Sequence, residues 1–343
     1  RALASALGVQ AARDAIVHPF KAQIGHTLGA AGALELLAIA DAIERGILPA
    51  AAGEGRLDPE APAQLLENAQ KGTPATALKL SSAFGGANAA LVLGSHGAAS
   101  RPRRHAFVHQ AVRVDREPPV EHLAAATRTP LERLLRADPL VRLSLAAVAG
   151  LEATAGPLAG AGIVVGTALA TLETNALFAA RIRDRGARHA EGRRFPYTSP
   201  NAVAGACSIA FGLTGPSFSV GGGMHAALEA LACASVLVES GDADRVVVVA
   251  ADDVGPTTLA LEEGELRRGE LKAGAVAVLV SARPSGGARA RIGDIELRRG
   301  ERTSGGHAAG HLALRPLLEP RMPSSLEASS SPDGWARVTL HPL

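Results

Sequence analysis

Lys21-Ala22-Gln23-Ile24-Gly25-His26-Thr27-Leu28-Gly29-Ala30-Ala31-Gly32-Ala33-Leu34-Glu35 sets a lysine and a histidine five positions apart, then runs through small residues into a helical pattern. Glycine and alanine let backbone approach backbone closely. The string predicts a rigid strand-to-helix junction that holds His26 as a preorganised proton donor. A lone lysine or histidine is more often a loop or capping residue than a catalytic one, so the weight rests on the whole string. Working outward, Ala33 to Arg45 reads as a helix with Leu36, Ile39, Ala40 and Ile43 on one face, closed by Gly46. A Pro/Gly-punctuated stretch from Ala50 to Pro74 follows, with a short helical piece expected over Ala63 to Gln70. Ala75 to Leu80 and Ala89 to Leu93 read as paired strands around a Gly85-Gly86 turn.

The chain has 343 residues, a formal net charge of +2 and few aromatics, so it can bury a sizeable core of small residues. Near-neutrality, with arginine scattered rather than striped, gives no electrostatic case for nucleic acid or a membrane surface. Apolar runs such as Val246-Val247-Val248-Val249-Ala250-Ala251 are too short to span a bilayer and suit a buried strand. Two cysteines, Cys207 and Cys233, are too few for a disulfide framework, and a cytoplasmic location is the expectation. Arg1 to Gly8 looks like the middle of a helix, so the chain reads as a piece of something longer.

A polar, basic stretch of small residues ends the first unit. The expected division is 1–97, a linker 98–104, and 105–343. Beyond it, Pro139–Gly150, Thr174–Asp184, a helix opening at Pro200, and His225–Ser240 read as helices. Ala161–Thr167, Pro216–Val220, Arg245–Ala251, Ala273–Val280 and Trp335–Leu340 read as strands. Alternating hydrophobic strands and helices argue for an α/β fold with a mostly parallel sheet covered on both faces.

The Lys21–Glu35 string resembles the distal-histidine segment of the β-ketoacyl-acyl carrier protein synthases, the condensing enzymes of fatty acid and polyketide assembly. Leu80-Ser81-Ser82-Ala83-Phe84-Gly85-Gly86-Ala87-Asn88 resembles that family's glycine-rich closing segment, usually S-F-G-F-G-G-T-N. Phe84, Gly85, Gly86 and Asn88 fit it; Ser82, Ala83 and Ala87 depart. Residues 162–255 resemble the family's N-terminal half, through Gly162–Thr167, Ser199–Gly205, Gly212–Ser217 and the glycine-rich elbow. There the family carries V-D-T-A-C-S-S-S, with a nucleophilic cysteine whose thiolate is favoured by a helix N-terminus. Here the string is Val220-Gly221-Gly222-Gly223-Met224-His225-Ala226-Ala227, and Met224 falls on the nucleophile position. A thioether has no proton to lose and forms no thioester. The family's H-G-T-G-T histidine motif has no match.

The resemblance implies a thiolase-like, layered αβαβα architecture in two partial lobes, each with a mostly parallel sheet. Its order is that of a ketosynthase tail fused to a cysteine-less subunit of chain-length-factor type. The implied chemistry is decarboxylative condensation of malonyl-carrier protein with an acyl thioester, in fatty acid or polyketide, including aryl polyene, biosynthesis. His26 would be one of two histidines stabilising the enolate oxygen, and Lys21 would orient that site. Phe84 would gate the pocket, and the backbone beside it at Gly85 would complete an oxyanion hole. No cofactor is implied beyond the phosphopantetheine of acyl carrier protein. Partners would be that carrier protein and a ketosynthase subunit or second copy. An alternative is a non-catalytic scaffold or carrier-docking module; a permuted acyltransferase is a third reading and still lacks a nucleophile. Other signals are bland. Gly221-Gly222-Gly223 lacks the ending of a phosphate loop. His307 and His311 have ligand spacing but read as a solvated tail. Glu262, Glu263, Arg267 and Arg268 read as a charged face, and Arg101, Arg103 and Arg104 as a basic linker.

Overall fold

A computed structural model describes residues 2–53, 63–82, 88–95, 102–221, 223–262, 271–284, 287–298, 310–330 and 334–343. The described residues up to 95 form one compact unit and those from 102 onward another.

In the first unit Lys21–Ile24 is a single helical turn, Leu28–Ala30 a 3-10 turn, and α1 spans Ala31–Arg45. His26 therefore lies between two helical turns, after Gly25 at φ 77, not at a strand-to-helix junction. Gly46 ends α1 in the left-handed conformation, its N–H donating to the Ala42 carbonyl. β1 (Thr76–Ser82) and β2 (Asn88–Gly94) pair antiparallel from Thr76↔Gly94 to Ser82↔Asn88. The helical piece expected over 63–70 is extended instead. The Gln64 carbonyl accepts from Val17 N–H, the Leu66 carbonyl accepts from Ala51 N–H, and Gln70–Lys71 pairs with Ile47–Leu48. These hydrogen bonds between segments distant in sequence outweigh a weak local helical preference. The unit's core is thin: Ala12, Ala31 and Leu66 are its buried apolar residues among those described, while Leu78, Leu80 and Val92 share one exposed face of the hairpin.

The second unit is built on an eight-stranded sheet. Its strands are β3 (Phe107–Val114), β4 (Gly162–Thr167), β5 (Ser217–Gly221), β6 (Arg245–Asp252), β7 (Gly274–Ser281), β8 (Ala290–Arg298), β9 (Ser325–Ser330) and β10 (Gly334–Pro342). Their spatial order is β9-β10-β8-β3-β7-β6-β4-β5. Only β5-β4 and β4-β6 pair in parallel; the other pairs are antiparallel, so the sheet is mixed and the expected parallel character is confined to three strands. Four main helices accompany it: α2 (Pro139–Ala155), α3 (Leu172–Arg185), α4 (Ala202–Phe211) and α5 (Ala226–Glu239).

The strands alternate between two cores, as a period of two requires. Val247, Val249 and Ala251 of β6 join Ala275, Ala277 and Leu279 of β7 against α2 and α4. Val246, Val248 and Ala250 join Val276, Val278 and Val280 against α5 and the 3-10 helix Gly310–Leu318. Burying each of these valines contributes on the order of 1.5–3 kcal/mol. Asp138 starts α2 by accepting the Val141 N–H at 2.8 Å, with Pro139 in the first turn.

Candidate functional site

In the first unit, three charged side chains meet. Glu35 of α1 accepts Lys21 Nζ at 3.0 Å and Lys79 Nζ, from β1, at 2.5 Å. The Lys79 side chain is 9% exposed, and its ammonium also donates to the Leu80 carbonyl and Ser81 Oγ, both at 2.6 Å. Burial pushes the Glu35 carboxyl up, but hydrogen bonds and charge from the two lysines outweigh it, holding it below its ordinary range. Lys21 is thus anchored at its head while its stem stays half-exposed; His26 is exposed. Sequence reasoning misses Lys79; its only signal is a lysine inside a strand pattern, at an inward position. Phe84 and Gly85 lie outside the described residues.

The second site is the elbow between β5 and α5. Gly166 of β4 lets the first turn of α5 pack onto the sheet: a side chain there would meet the Ala226 carbonyl carbon at 2.8 Å and Ala227 Cα at 3.0 Å. Gly223, at φ 127, donates to the Ala168 carbonyl and makes the sharp turn. Met224 follows, 2% exposed, packed in an apolar cluster with Ala168 and Leu271 and bordered by Leu169 and Val254. Its carbonyl accepts the Gly310 N–H at 2.8 Å. This turn is thus occupied by a buried thioether, which has no proton to lose.

Neither cysteine lies at this turn. Cys207 is fully buried on α4, and desolvation pushes its thiol up to about 12, leaving about one thiolate in 10⁵ at neutral pH. Cys233, on α5, is also raised, by burial and then by the nearby Glu229 charge.

His311 corrects the expectation of a solvated tail. It is 1% exposed, and its Nδ1 lies 2.9 Å from Asp252 Oδ2 at the end of β6. His307 lies outside the described residues, and no group of three or more metal-ligating side chains occurs among the described ones. The expectation of scattered arginine also needs correction. Arg181, Arg183, Arg185, Arg188, Arg193 and Arg194 crowd a stretch with only Glu173, Asp184 and Glu191 to offset them. Arg181 and Arg194 both pair with Glu191, whereas Arg185, Arg188 and Arg193 are exposed. Arg104, by contrast, is tied down: its N–H donates to the Glu239 carbonyl and its guanidinium pairs with Asp244 at 2.5 Å.

An acidic cluster adjoins the end of β6. Burial pushes Asp138 up; Glu173 is held down because donors from Thr258 and Thr257 outweigh its desolvation. Asp253 is raised to about 6, first by desolvation and then by the charges of Asp138, Glu173 and Glu117. A carboxyl raised in the folded state binds more protons there than when unfolded, so stability falls as pH rises from about 4 to 6. A rise of about two units is worth ~3 kcal/mol at face value, and screening at this half-exposed residue reduces it to about 1 kcal/mol. Asp253→Asn is therefore expected to stabilise the chain by about 1 kcal/mol above pH ~6 and by nothing below pH ~4. Urea unfolding followed by the fluorescence of Trp335, the sole tryptophan, measures this. An equal effect at both pH values would show that the charge is not the cause.

β5 is the terminal strand of the sheet, with one edge unpaired within the described chain. Its Ser219 hydroxyl, the Thr167 hydroxyl of neighbouring β4 and both amide atoms of Asn201 are buried without a hydrogen-bond partner. Among the described residues no helix is long and apolar enough to cross a membrane.

The model of the β-ketoacyl synthase N-terminal domain matches residues 68–263, more than half of the chain, and that of the β-ketoacyl synthase C-terminal domain matches residues 1–53. The tetracenomycin polyketide synthase ketoacyl synthase alpha subunit of Streptomyces glaucescens is 44% identical over 85 residues, 24% of this chain and 20% of that protein. The chain thus spans about a fifth of the length of the curated relative it matches. Among solved structures, the PfaC keto synthase–chain length factor superposes with a TM-score of 0.61 at 14% identity, over 94% of this chain and 53% of that one. The ketosynthase ApeO in complex with its chain length factor ApeC from Xenorhabdus doucetiae gives 0.48 at 15% identity, over 68% and 98%. The first of these likenesses carries the thiolase-like fold. Two family-model matches, the C-terminal domain preceding the N-terminal one along the sequence, place this chain in the β-ketoacyl synthase family.

Proposed function

We propose that the chain joins the end of a ketosynthase to a ketosynthase-like subunit of chain-length-factor type. It would serve decarboxylative condensation of malonyl-carrier protein with an acyl thioester, in polyketide or fatty acid assembly, without forming the acyl-enzyme on its own elbow. The observation that carries this reading is Met224, buried at the turn into α5; the sequence resemblance aligns this position with the family's nucleophile. A second observation supports a subunit partner. The edge strand β5, with buried polar groups beside it still unsatisfied, suits addition of a strand from a ketosynthase. The arginines of 181–194 suit an acidic carrier protein. Lys21 and His26, with Phe84 and the Gly85 backbone, would act in the condensing site of the ketosynthase portion, Lys21 held by Glu35.

The test is acyl transfer from a radiolabelled acyl-pantetheine, with the chain alone and with a catalytically competent ketosynthase added. Label is expected on the added ketosynthase's cysteine and none on this chain. Covalent label on Cys207 or Cys233 would sink the reading of an unacylated partner.

A further inference from the structure

Three segments distant in sequence converge behind the elbow. Asp252, at the end of β6, has a side chain 1% exposed. Its Oδ1 accepts the Ala168 N–H at 3.0 Å, from the turn that follows β4. Its Oδ2 accepts both the His311 N–H at 2.6 Å and His311 Nδ1–H at 2.9 Å. The residue before His311 closes the circuit, because Gly310 N–H donates to the Met224 carbonyl. One carboxylate therefore ties together Ala168 and His311, which bring contacts to Met224 from two sides: Ala168 packs on it, and Gly310, next to His311, bonds to it.

The space around this pair is shaped for it. Gly310 sits at φ 55, where a side chain would run into Asp252 and come 2.8 Å from Leu271 Cδ1. Gly274 sits at φ 155, and a side chain there would come 2.7 Å from His311 Nε2. The imidazole is 0% exposed and Nε2 has no hydrogen-bond partner. A core histidine placed for packing alone would give way cheaply to an apolar residue, because a buried ring with one nitrogen left unpaired is destabilising. The His311 Nδ1 and backbone N–H are instead committed to Asp252.

We infer that Asp252 and His311 form a positioning pair that fixes the backbone of the Met224 elbow and so directs the methionine side chain into its apolar seat. The inference deepens the proposed function and rests on it for one point, that this seat is the place of the family's acyl thioester. Neither residue touches a reacting atom; both act through Met224.

Methionine supplies the reporter, since the chain has only Met224 and Met322. Met322 belongs to a different apolar cluster and serves as the internal control. In the full chain labelled with methyl-13C methionine, Met322→Leu assigns the two signals. His311→Ala is expected to shift and broaden the Met224 methyl while leaving Met322 in place. It should also accelerate exchange of the Gly310 amide by on the order of ten-fold. His311→Asn, whose side-chain amide reproduces the Nδ1 donor, is expected to restore both signals toward wild type. Asp252→Asn, which exchanges one of the two acceptor oxygens for an NH2 donor and keeps the volume, cannot accept from both Ala168 and His311 and should repeat the His311→Ala result. An unmoved Met224 methyl in His311→Ala would overturn the inference. Loss of both methyl signals together in both variants would also overturn it, by making the pair a support of the whole unit. These readouts need no acyl donor. Acylation of the chain with an intact pair would defeat the proposed function alone, and an indifferent Met224 methyl would defeat the pair alone.

Discussion

Gly166→Val is expected to cost the second unit more than ~4 kcal/mol, a large share of the ~5–15 kcal/mol that holds a domain folded. The reason is geometric. Gly166 lies in a fully buried strand, and a side chain there would strike the backbone of Ala226 and Ala227 in the first turn of α5. Overpacking against side chains commonly costs ~1–3 kcal/mol because side chains repack. Backbone has no such freedom, so the helix would have to lift from β4 and carry the elbow with it. Gly166→Ala should fall lower, at about 3 kcal/mol, since it adds one carbon rather than three. Gly192→Ala is the control: no atom lies within 4 Å of the added carbon, and the change should stay within about 0.5 kcal/mol. Urea unfolding reported by Trp335 measures all three. Equal stability of Gly166→Val and Gly192→Ala would mean that α5 does not lie where its first turn is described.

Close packing of this kind is also what makes the elbow legible in the sequence. A valine run bounded by turn residues reads as a buried strand whatever its neighbours, and Val246 to Ala251 is buried on both faces. Gly221 to Gly223 mark the turn because few other residues tolerate it, and Gly223 does adopt a positive φ. The three-strand parallel core that carries the elbow follows from these local signals. The antiparallel remainder does not. β3 contains His109, Gln110 and Arg113, which blur its alternation, and its partners β7 and β8 lie more than 160 residues away in sequence. His311 reads as solvated for a related reason. Its surroundings in sequence are small and polar, and nothing local announces that Asp252, 59 residues earlier, will accept its ring. Lys79 shows the same limit. A lysine in a strand reads as an exposed residue, and only the approach of α1 turns it inward.

That inward lysine gives the second large effect. Glu35→Ala is expected to destabilise the first unit by about 2–3 kcal/mol, between the ~1 kcal/mol of a surface pair and the ~3–5 kcal/mol of a buried one. Glu35 is the only carboxylate within ion-pairing distance of the 9%-exposed Lys79 among the described residues, so its removal strands that ammonium on the Leu80 carbonyl and Ser81 hydroxyl. Lys79→Met should cost less, because Lys21 still neutralises Glu35 at 3.0 Å and methionine keeps much of the buried stem. The double variant Glu35→Ala, Lys79→Met should then recover part of the loss, as replacing both members of an ion pair removes the stranded charge. Hydrogen exchange across β1 and β2 follows the first unit separately from Trp335 in the second. A double variant as unstable as the sum of the singles would show that the two side chains do not act on each other.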